Sequence, residues 1–260
     1  MNIAPIHDTT IAYEEIGTGD PLLLIHGGMI SHKEWQPQLA AWSPHYRLIV
    51  PDVRGHGASG RDGRPYSIKQ WAGDMAALLD VLNIAQAFVC GHSMGGMVAQ
   101  QLAADYPQKV RALVIAESNY GTRNDPMMRI AGDLSVRLFK MLGPKTAAKV
   151  ATAPLAGTPE VRQMLDAEMA RHTDNPANMY AILDAMNAYD GRANLPRIQC
   201  PTLVISGGNF KLGHGQGQHM GVTIPNARWI TIPNAGHGVN WDNAPDFNQA
   251  VLVFFKQHTA

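Results

Sequence analysis

The five residues Gly91-His-Ser-Met-Gly95 form the pattern in this sequence that could most directly do chemistry. A short apolar run ends just before them at Cys90, and a helical pattern starts just past Gly96. Glycines on both sides of a serine let the chain reverse sharply between a strand and a helix, because a Cβ there would obstruct the turn. The hydroxyl of Ser93 would then stand clear of the sheet, facing the first free N–H groups of the helix. The pattern predicts a serine nucleophile.

The elements around this turn follow a regular order of strands and helices. Continuous apolar runs such as Leu22–Ile25 and Tyr46–Val50 are typical of strands buried on both faces, so we expect a sheet covered by helices on each side. Helical spacing of apolar residues, as over Tyr66–Leu82, alternates with such runs up to Val110–Ala116. The order predicts an α/β fold with a doubly wound, mostly parallel sheet.

The strand pattern stops after the sixth strand and resumes only at Cys200–Ser206. Between about residues 121 and 190 the apolar residues follow helical spacing instead, and prolines divide the segment into roughly four helices. The dividing prolines are Pro144, Pro154, Pro159 and Pro176. We therefore expect a core of residues 1–120 and 191–260, with an all-helical cap of residues 121–190.

Composition limits the classes of function. The 260 residues are 45% hydrophobic, and 21 basic side chains balance 21 acidic ones, so no net field would recruit nucleic acid or an anionic membrane. No apolar run approaches the ~18 residues of a membrane span, and the first residues lack the charged and apolar regions of a secretory signal. With Cys90 and Cys200 as the only cysteines, we expect a cytoplasmic protein that acts on a small molecule. The sequence is compatible with a homodimer.

Four motifs stand in the order of one known family. They are His26-Gly-Gly28, Asp52-Val-Arg-Gly-His-Gly-Ala-Ser59, Gly91-His-Ser-Met-Gly95 and Asn234-Ala-Gly-His237. With them, nearly the whole chain resembles the α/β-hydrolase fold with a helical cap, and in particular its serine esterases and lactonases. The resemblance implies a hydrolase that needs no cofactor.

A serine hydroxyl is a weak nucleophile unless a base takes its proton and an acid orients that base. In the family that this sequence resembles, the chain order is serine, acid, histidine. Of the eleven histidines, His237 alone lies on a loop after the last predicted strand and before the final helix. His92 occupies the variable position of the serine turn, which normally faces away from the pocket. We therefore predict His237 as the base for Ser93.

The acid does not stand at the position that is usual for this family. Most members of the family carry an aspartate just after the seventh strand, but no Asp or Glu occurs between Asp190 and Asp242. Asn209 lies nearest to that empty place, and in one serine protease a change of the carboxylate to an amide costs ~10⁴ in turnover. Some members place the acid after the sixth strand, where Glu117 follows Ala116. Glu117 is the predicted acid; the rival interpretations are a solvated carboxylate or a degraded triad that depends on Asn209.

The resemblance also implies two backbone N–H groups that stabilise the oxyanion of the tetrahedral intermediate. One belongs to Met94, the residue after the nucleophile, and the other to Gly28 in the loop after the third strand, or to Met29 if that loop is shifted by one residue. His214 and His219 could suggest a metal site, but no carboxylate or cysteine joins them. Glycines surround these two histidines, so we expect a mobile loop there and no metal.

These residues predict a serine hydrolase that cleaves a carboxylic ester or lactone with an apolar body through an acyl-enzyme. The same site could instead serve hydrolysis of a carbon–carbon bond, opening of an enol-lactone or perhydrolysis, and the fold does not choose among them. A haloalkane dehalogenase or an epoxide hydrolase is disfavoured, because those enzymes carry aspartate where this sequence has Ser93. From another class, a ligand receptor of the same fold without catalysis is the remaining alternative.

Overall fold

The structure is a computed structural model that describes residues 1–61, 65–121, 123, 126–146, 149 and 158–259. Among these residues, eight strands form one sheet. In chain order they are β1 (Asn2–Ile6), β2 (Thr9–Ile16), β3 (Asp20–Ile25), β4 (Tyr46–Pro51), β5 (Ala87–His92), β6 (Val110–Ala116), β7 (Thr202–Gly207) and β8 (Ala227–Ile232).

The strands lie in the order β1-β2-β4-β3-β5-β6-β7-β8. Only the pairs β1–β2 and β2–β4 are antiparallel, and every neighbour from β4 to β8 is parallel. Leu22–Ile25 are completely buried, as the continuous apolar run predicts for a central strand with helices on both faces. The carboxyl ends of β5, β6, β7 and β8 therefore meet at one edge of the sheet. The prediction of a doubly wound, mostly parallel sheet is confirmed.

The described residues include helices on both faces of the sheet and in the insertion after β6. They are α1 (Gln36–Trp42), α2 (Ile68–Val81), α3 (Met94–Asp105), α4 (Pro126–Leu142), α5 (Pro159–Thr173), α6 (Pro176–Ala188), α7 (His214–Thr223), α8 (Val239–Asp242) and α9 (Ala244–Lys256). Ser67 accepts a hydrogen bond from the backbone of Gln70, and Asn243 accepts one from Asp246, which caps α2 and α9. Trp71 of α2 packs in the core on one face of the sheet, and Phe247 of α9 in that on the other.

The helices α4, α5 and α6 lie between β6 and β7, where the helical cap is expected. An isolated bridge between Gly121 and Asp190 joins the two ends of this insertion. The expected cap helix between Pro144 and Pro154 falls mostly outside the described residues. The division into a core of residues 1–120 and 191–260 and a cap of residues 121–190 stays a prediction.

The segment with His214 and His219 is a helix, so the expectation of a mobile loop is wrong. Two of the glycines of α7 allow close packing. A Cβ on Gly217 would lie 2.6 Å from the indole nitrogen of Trp229, and one on Gly221 would lie 2.8 Å from the Cβ of Trp229. Glycine therefore lets α7 approach β8.

Within the described part of the chain, no three side chains of the types His, Cys, Asp and Glu form a group that could hold a metal ion. Likewise, none of the helices described there is long and apolar enough to cross a membrane.

Candidate active site

Ser93 stands at the turn between β5 and α3 in a strained backbone conformation. Its φ of 52° and ψ of −118° lie in a region that residues with a side chain rarely adopt. The turn closes because its glycines approach other backbone atoms. A Cβ on Gly91 would lie 2.2 Å from the carbonyl oxygen of Gly95, and one on Gly95 would lie 2.0 Å from that of Ile25. A strained backbone conformation at a serine, maintained by close contacts of the neighbouring glycines, is typical of functional sites.

His237 lies on the loop between β8 and α8 and reaches the serine. Its Nε2 is 3.1 Å from the hydroxyl oxygen of Ser93, so the hydroxyl can donate a hydrogen bond to the ring. The loop is held by Asp242, whose carboxylate accepts a hydrogen bond of 2.7 Å from the backbone of Gly236. The ring of Phe210 packs edge-on against the imidazole, with 5.2 Å between the centroids. The structure thus brings the predicted nucleophile and the predicted base together.

Glu117 occupies the residue directly after β6 and is buried. Its Oε2 is 3.5 Å from Nδ1 of His237, which is an ion-pair contact longer than a hydrogen bond. Its other oxygen accepts a hydrogen bond from the backbone of Gly207, the last residue of β7. The carboxylate that begins after β6 therefore ends beside β7, near the place where the family resemblance leads one to expect an aspartate. The side chain of Asn209, the rival orienting group, is exposed.

The backbone groups expected to bind the oxyanion lie on either side of the serine. Met94 is the first residue of α3, where helical N–H groups have no partner within the helix. Gly28 lines the cavity beside Ser93, and a Cβ on Gly28 would lie 3.7 Å from the Cβ of Met94. The next residue, Met29, has a φ of 65° and marks the end of this turn.

A cavity opens on Ser93 and His237. The cap helix α5 contributes the apolar side chains of Val161, Met164 and Leu165 to its wall. The remaining lining residues belong to three segments of the core: Gly27, Gly28, Ile30, Glu34, His92, Gly238, Asn240 and Trp241. A mainly apolar cavity with a few polar groups is the usual form of a small-molecule site.

Two polar residues of this wall differ from the prediction: His92 was expected to face away from the cavity, and Glu34 was not expected to line it. His92 lines the cavity instead of facing away from it, because its Nδ1 lies 2.6 Å from the buried carboxylate of Glu34. Glu34 is the only acidic residue between Gly27 and Trp42. A lone glutamate in an amphipathic segment is normally solvated, so the sequence carried no signal that it would be buried.

Three further histidines form a buried cluster that does not touch the serine. The ring centroids of His26 and His56 are 5.0 Å apart, and those of His56 and His172 are 5.7 Å apart. Burial lowers the pKa of all three rings, to about 4 for His172 and well below the ordinary value of 6.5 for His56. His172 belongs to α5 of the cap, so neutral imidazoles connect the cap to the core.

Comparison with known proteins agrees with this geometry. The family profile of the α/β hydrolase fold matches residues 20–244. The "Putative carbamate hydrolase RutD" of Azorhizobium caulinodans is 31% identical over 256 residues, which cover 95% of each chain. The 3-oxoadipate enol-lactonase 2 of Acinetobacter baylyi is 30% identical and covers 96% of this chain and 94% of its own.

A solved structure of similar architecture is that of a thermophilic esterase from Thermogutta terrifontis with malate bound. It superimposes with a TM-score of 0.88 and 25% identity and covers 100% of both chains. Sequence profile, relatives and architecture agree over nearly the whole chain. The protein belongs to the α/β-hydrolase family and is a hydrolase.

Proposed function

We propose that the protein is a serine hydrolase that cleaves a carboxylic ester or lactone through an acyl-enzyme intermediate. The observation that carries this proposal is the contact of 3.1 Å between Ser93 Oγ and His237 Nε2, with the Glu117 carboxylate 3.5 Å from the opposite ring nitrogen. Nucleophile, base and acid are thus aligned in the order that activates a hydroxyl.

In the acylation step, His237 takes the proton of Ser93 while the serine oxygen attacks the carbonyl carbon of the substrate. The negative charge that develops on the carbonyl oxygen is stabilised by the N–H groups of Met94 and Gly28. His237 then donates its proton to the leaving alkoxide, which departs as the alcohol. In a lactone the alcohol remains attached to the acyl group. A water molecule deprotonated by His237 then attacks the acyl carbon. The bond from that carbon to Ser93 Oγ breaks, the acid leaves, and His237 returns the proton to the serine oxygen.

Glu117 keeps the proton of the neutral imidazole on Nδ1, which leaves Nε2 free to accept the proton of the serine. The ion-pair contact of 3.5 Å favours the imidazolium that forms in each step. Because the carboxylate is buried and also accepts a hydrogen bond from Gly207, its position is held by the sheet rather than by solvent. Such contacts commonly shorten when substrate binds.

The cavity favours a small substrate with an apolar body. Val161, Met164 and Leu165 of the cap line the space above the serine with apolar side chains. Relatives named an enol-lactonase and an esterase support esters and lactones as the substrate class. The relative named a carbamate hydrolase makes a carbamate the second candidate, since the same acyl transfer would cleave it.

The experiment compares the wild type with Ser93→Ala on a panel of p-nitrophenyl esters, lactones and carbamates, together with labelling by a fluorophosphonate probe. We expect the wild type to hydrolyse an ester or lactone and to be labelled, and Ser93→Ala to lose both properties. Ser67→Ala, which removes the hydroxyl that caps α2 away from the site, is the matched control and should keep both. Hydrolysis that persists in Ser93→Ala would refute the assignment of the nucleophile.

A further inference from the structure

A buried carboxylate and a buried imidazole stand in the cavity wall beside the serine and have no step in the proposed mechanism. Glu34 is 2% exposed and His92 is 4% exposed, and 2.6 Å separates Glu34 Oε1 from His92 Nδ1. Burial of a charged side chain costs free energy that a partner must offset. Two such groups placed next to the nucleophile therefore require an explanation.

The second atom of each group contacts a different loop of the site. Glu34 Oε2 accepts a hydrogen bond of 2.7 Å from the N–H of Gly27, the neighbour of Gly28. His92 Nε2 donates a hydrogen bond of 2.7 Å to the carbonyl oxygen of His237. The pair therefore connects the loop expected to bind the oxyanion with the loop of the base, and His92 is the residue directly before Ser93.

The backbone of Glu34 extends this connection to the residues after His237. Its carbonyl oxygen accepts hydrogen bonds from the indole nitrogen of Trp241 at 2.6 Å and from the side chain of Asn240 at 3.2 Å. Both residues belong to α8, which follows the loop of the base directly. Glu34 thus reaches the loop of the base indirectly, through His92, and its carbonyl holds the helix that follows that loop.

The contacts indicate that the pair is ionised. The Nε2 of His92 carries a proton because it faces a carbonyl oxygen, and its Nδ1 faces a carboxylate oxygen at 2.6 Å. The contact between Nδ1 and Oε1 lacks the geometry of a hydrogen bond, so charge holds the pair together: an unprotonated Nδ1 would set its lone pair against the carboxylate, whereas the imidazolium is attracted to it. Burial by itself lowers the pKa of His92, but the negative charge of Glu34 outweighs burial, and the pKa of His92 is raised.

We propose that Glu34 and His92 form a buried ion pair that positions the oxyanion loop and the catalytic histidine loop relative to Ser93. Both are positioning residues, and the inference rests on the proposed function as a serine hydrolase. A shift of about 1 Å in a group that supports the reacting atoms can cost 10²-fold in rate. Loss of the pair should therefore lower kcat more than it raises KM.

The test measures hydrolysis of p-nitrophenyl butyrate by Glu34→Ala, His92→Phe and the double variant, with active sites counted by a fluorophosphonate. We expect kcat per titrated site to fall roughly 10- to 100-fold in each single variant, with KM changed less than about threefold. The double variant should be no worse than about threefold below the lower single variant, because the two residues act as one unit. Glu34→Gln keeps an oxygen that accepts from Gly27 and should recover part of the loss.

Titration counts only sites that are folded, so a merely structural role would leave kcat per site unchanged. Glu160→Gln removes the charge of an exposed glutamate at the start of α5 and is the matched control, expected to behave as the wild type. Values of kcat within twofold of the wild type in both single variants, or single effects that multiply in the double variant, would overturn the proposal.

A spectroscopic measurement tests the ion pair without any activity. In ¹⁵N-histidine spectra of the wild type at pH 7, the ring whose signals vanish in His92→Phe should carry protons on both nitrogens, and in Glu34→Gln it should become neutral. A neutral His92 ring in the wild type would contradict the ion pair. If the fluorophosphonate labels no site in the wild type, the serine-hydrolase proposal fails, and these spectra still decide whether the pair exists.

Discussion

At the scale of the residue, Glu117 shows how one side chain can replace another that the chain lacks. It leaves the end of β6, yet its carboxylate contacts both the end of β7 at Gly207 and the imidazole of His237. Its φ of 41° is part of this placement, because the backbone turns at Glu117 itself while its N–H still donates to Ile205 of β7. The carboxylate beside the imidazole therefore comes from the neighbouring strand.

We expect Glu117→Gln to lower kcat by roughly 10²- to 10⁴-fold, because an amide cannot stabilise the imidazolium and can hold the wrong tautomer. The measurement is the steady-state hydrolysis of a p-nitrophenyl ester, with thermal unfolding to show that the variant is folded. Asn209→Ala serves as the control and should stay within about twofold of the wild type, since its side chain is exposed. Equal losses in both variants would favour a triad that depends on Asn209.

At the scale of the element, the turn between β5 and α3 is determined by contacts that only glycine permits. Gly95 lies against the carbonyl of Ile25 in the neighbouring strand β3, so the start of α3 touches the sheet directly. Ser118 supports the turn from the other side, where its hydroxyl donates a hydrogen bond of 2.6 Å to the carbonyl of Ser93. The strained serine is held by its surroundings rather than by its own preference.

We expect Gly95→Ala to lower the free energy of unfolding by about 3 kcal/mol or more, because its Cβ would lie 2.0 Å from a backbone oxygen that cannot move alone. Urea unfolding followed by circular dichroism measures this change. Gly215→Ala is the matched control on α7, where a Cβ meets no atom within 4 Å. It should leave the stability unchanged or raise it by up to about 1 kcal/mol, because alanine favours a helix over glycine. A Gly95→Ala protein as stable as Gly215→Ala would contradict the packing described here.

At the scale of the whole molecule, the cap is attached to the core through groups that respond to acid. His172 of α5 stacks edge-on with His56 of the core, and burial holds the pKa of His172 at about 4. The positive charge of Arg61 lowers that pKa further, whereas the negative charge of Glu168 on the same helix raises it. The folded state therefore keeps the ring neutral where an unfolded chain would bind a proton.

The sign of the pH dependence follows from this lowered pKa. Above about pH 6.5 the His172 ring is neutral in both the folded and the unfolded state, so its contribution to the free energy of unfolding is fully present. Between pH 6.5 and about 4 the unfolded state binds more protons, so stability falls as the pH falls. We expect the free energy of unfolding to fall by about 2–3 kcal/mol between pH 7 and pH 4.5 because of His172. His56 and His26 should add a further loss, since their pKa values are also lowered.

Urea unfolding at a series of pH values between 7 and 4.5 measures this loss. His172→Phe removes one ionisable ring while it keeps an aromatic side chain in contact with His56, so its stability should depend less steeply on pH than that of the wild type. The matched control is His258→Phe, which changes a histidine outside the cluster near the end of the chain. Parallel pH curves for the wild type and His172→Phe would contradict the role of the cluster.

Much of the fold and part of the site followed from the sequence by itself. The buried runs, the glycine-flanked Ser93 and the helical segment after β6 predict the parallel sheet, the serine turn and the place of the cap, because each is a pattern of neighbouring residues. The contact of His237 with Ser93 could be predicted from its place after the last strand. The α7 helix could not be predicted, because glycine also favours loops, and the helix is stabilised by its packing against Trp229.

The tertiary structure alone decided which groups surround the imidazole. The sequence left both Glu117 and Asn209 as candidates for the group that orients His237. The carboxylate of Glu117 reaches His237 only because β6 and β7 are neighbours whose ends meet. Glu34 and His92 are 58 positions apart, and nothing in either local pattern indicates that they touch. Local patterns encode the backbone of an element, whereas contacts between distant side chains depend on how the elements pack, and that is set by the whole core at once.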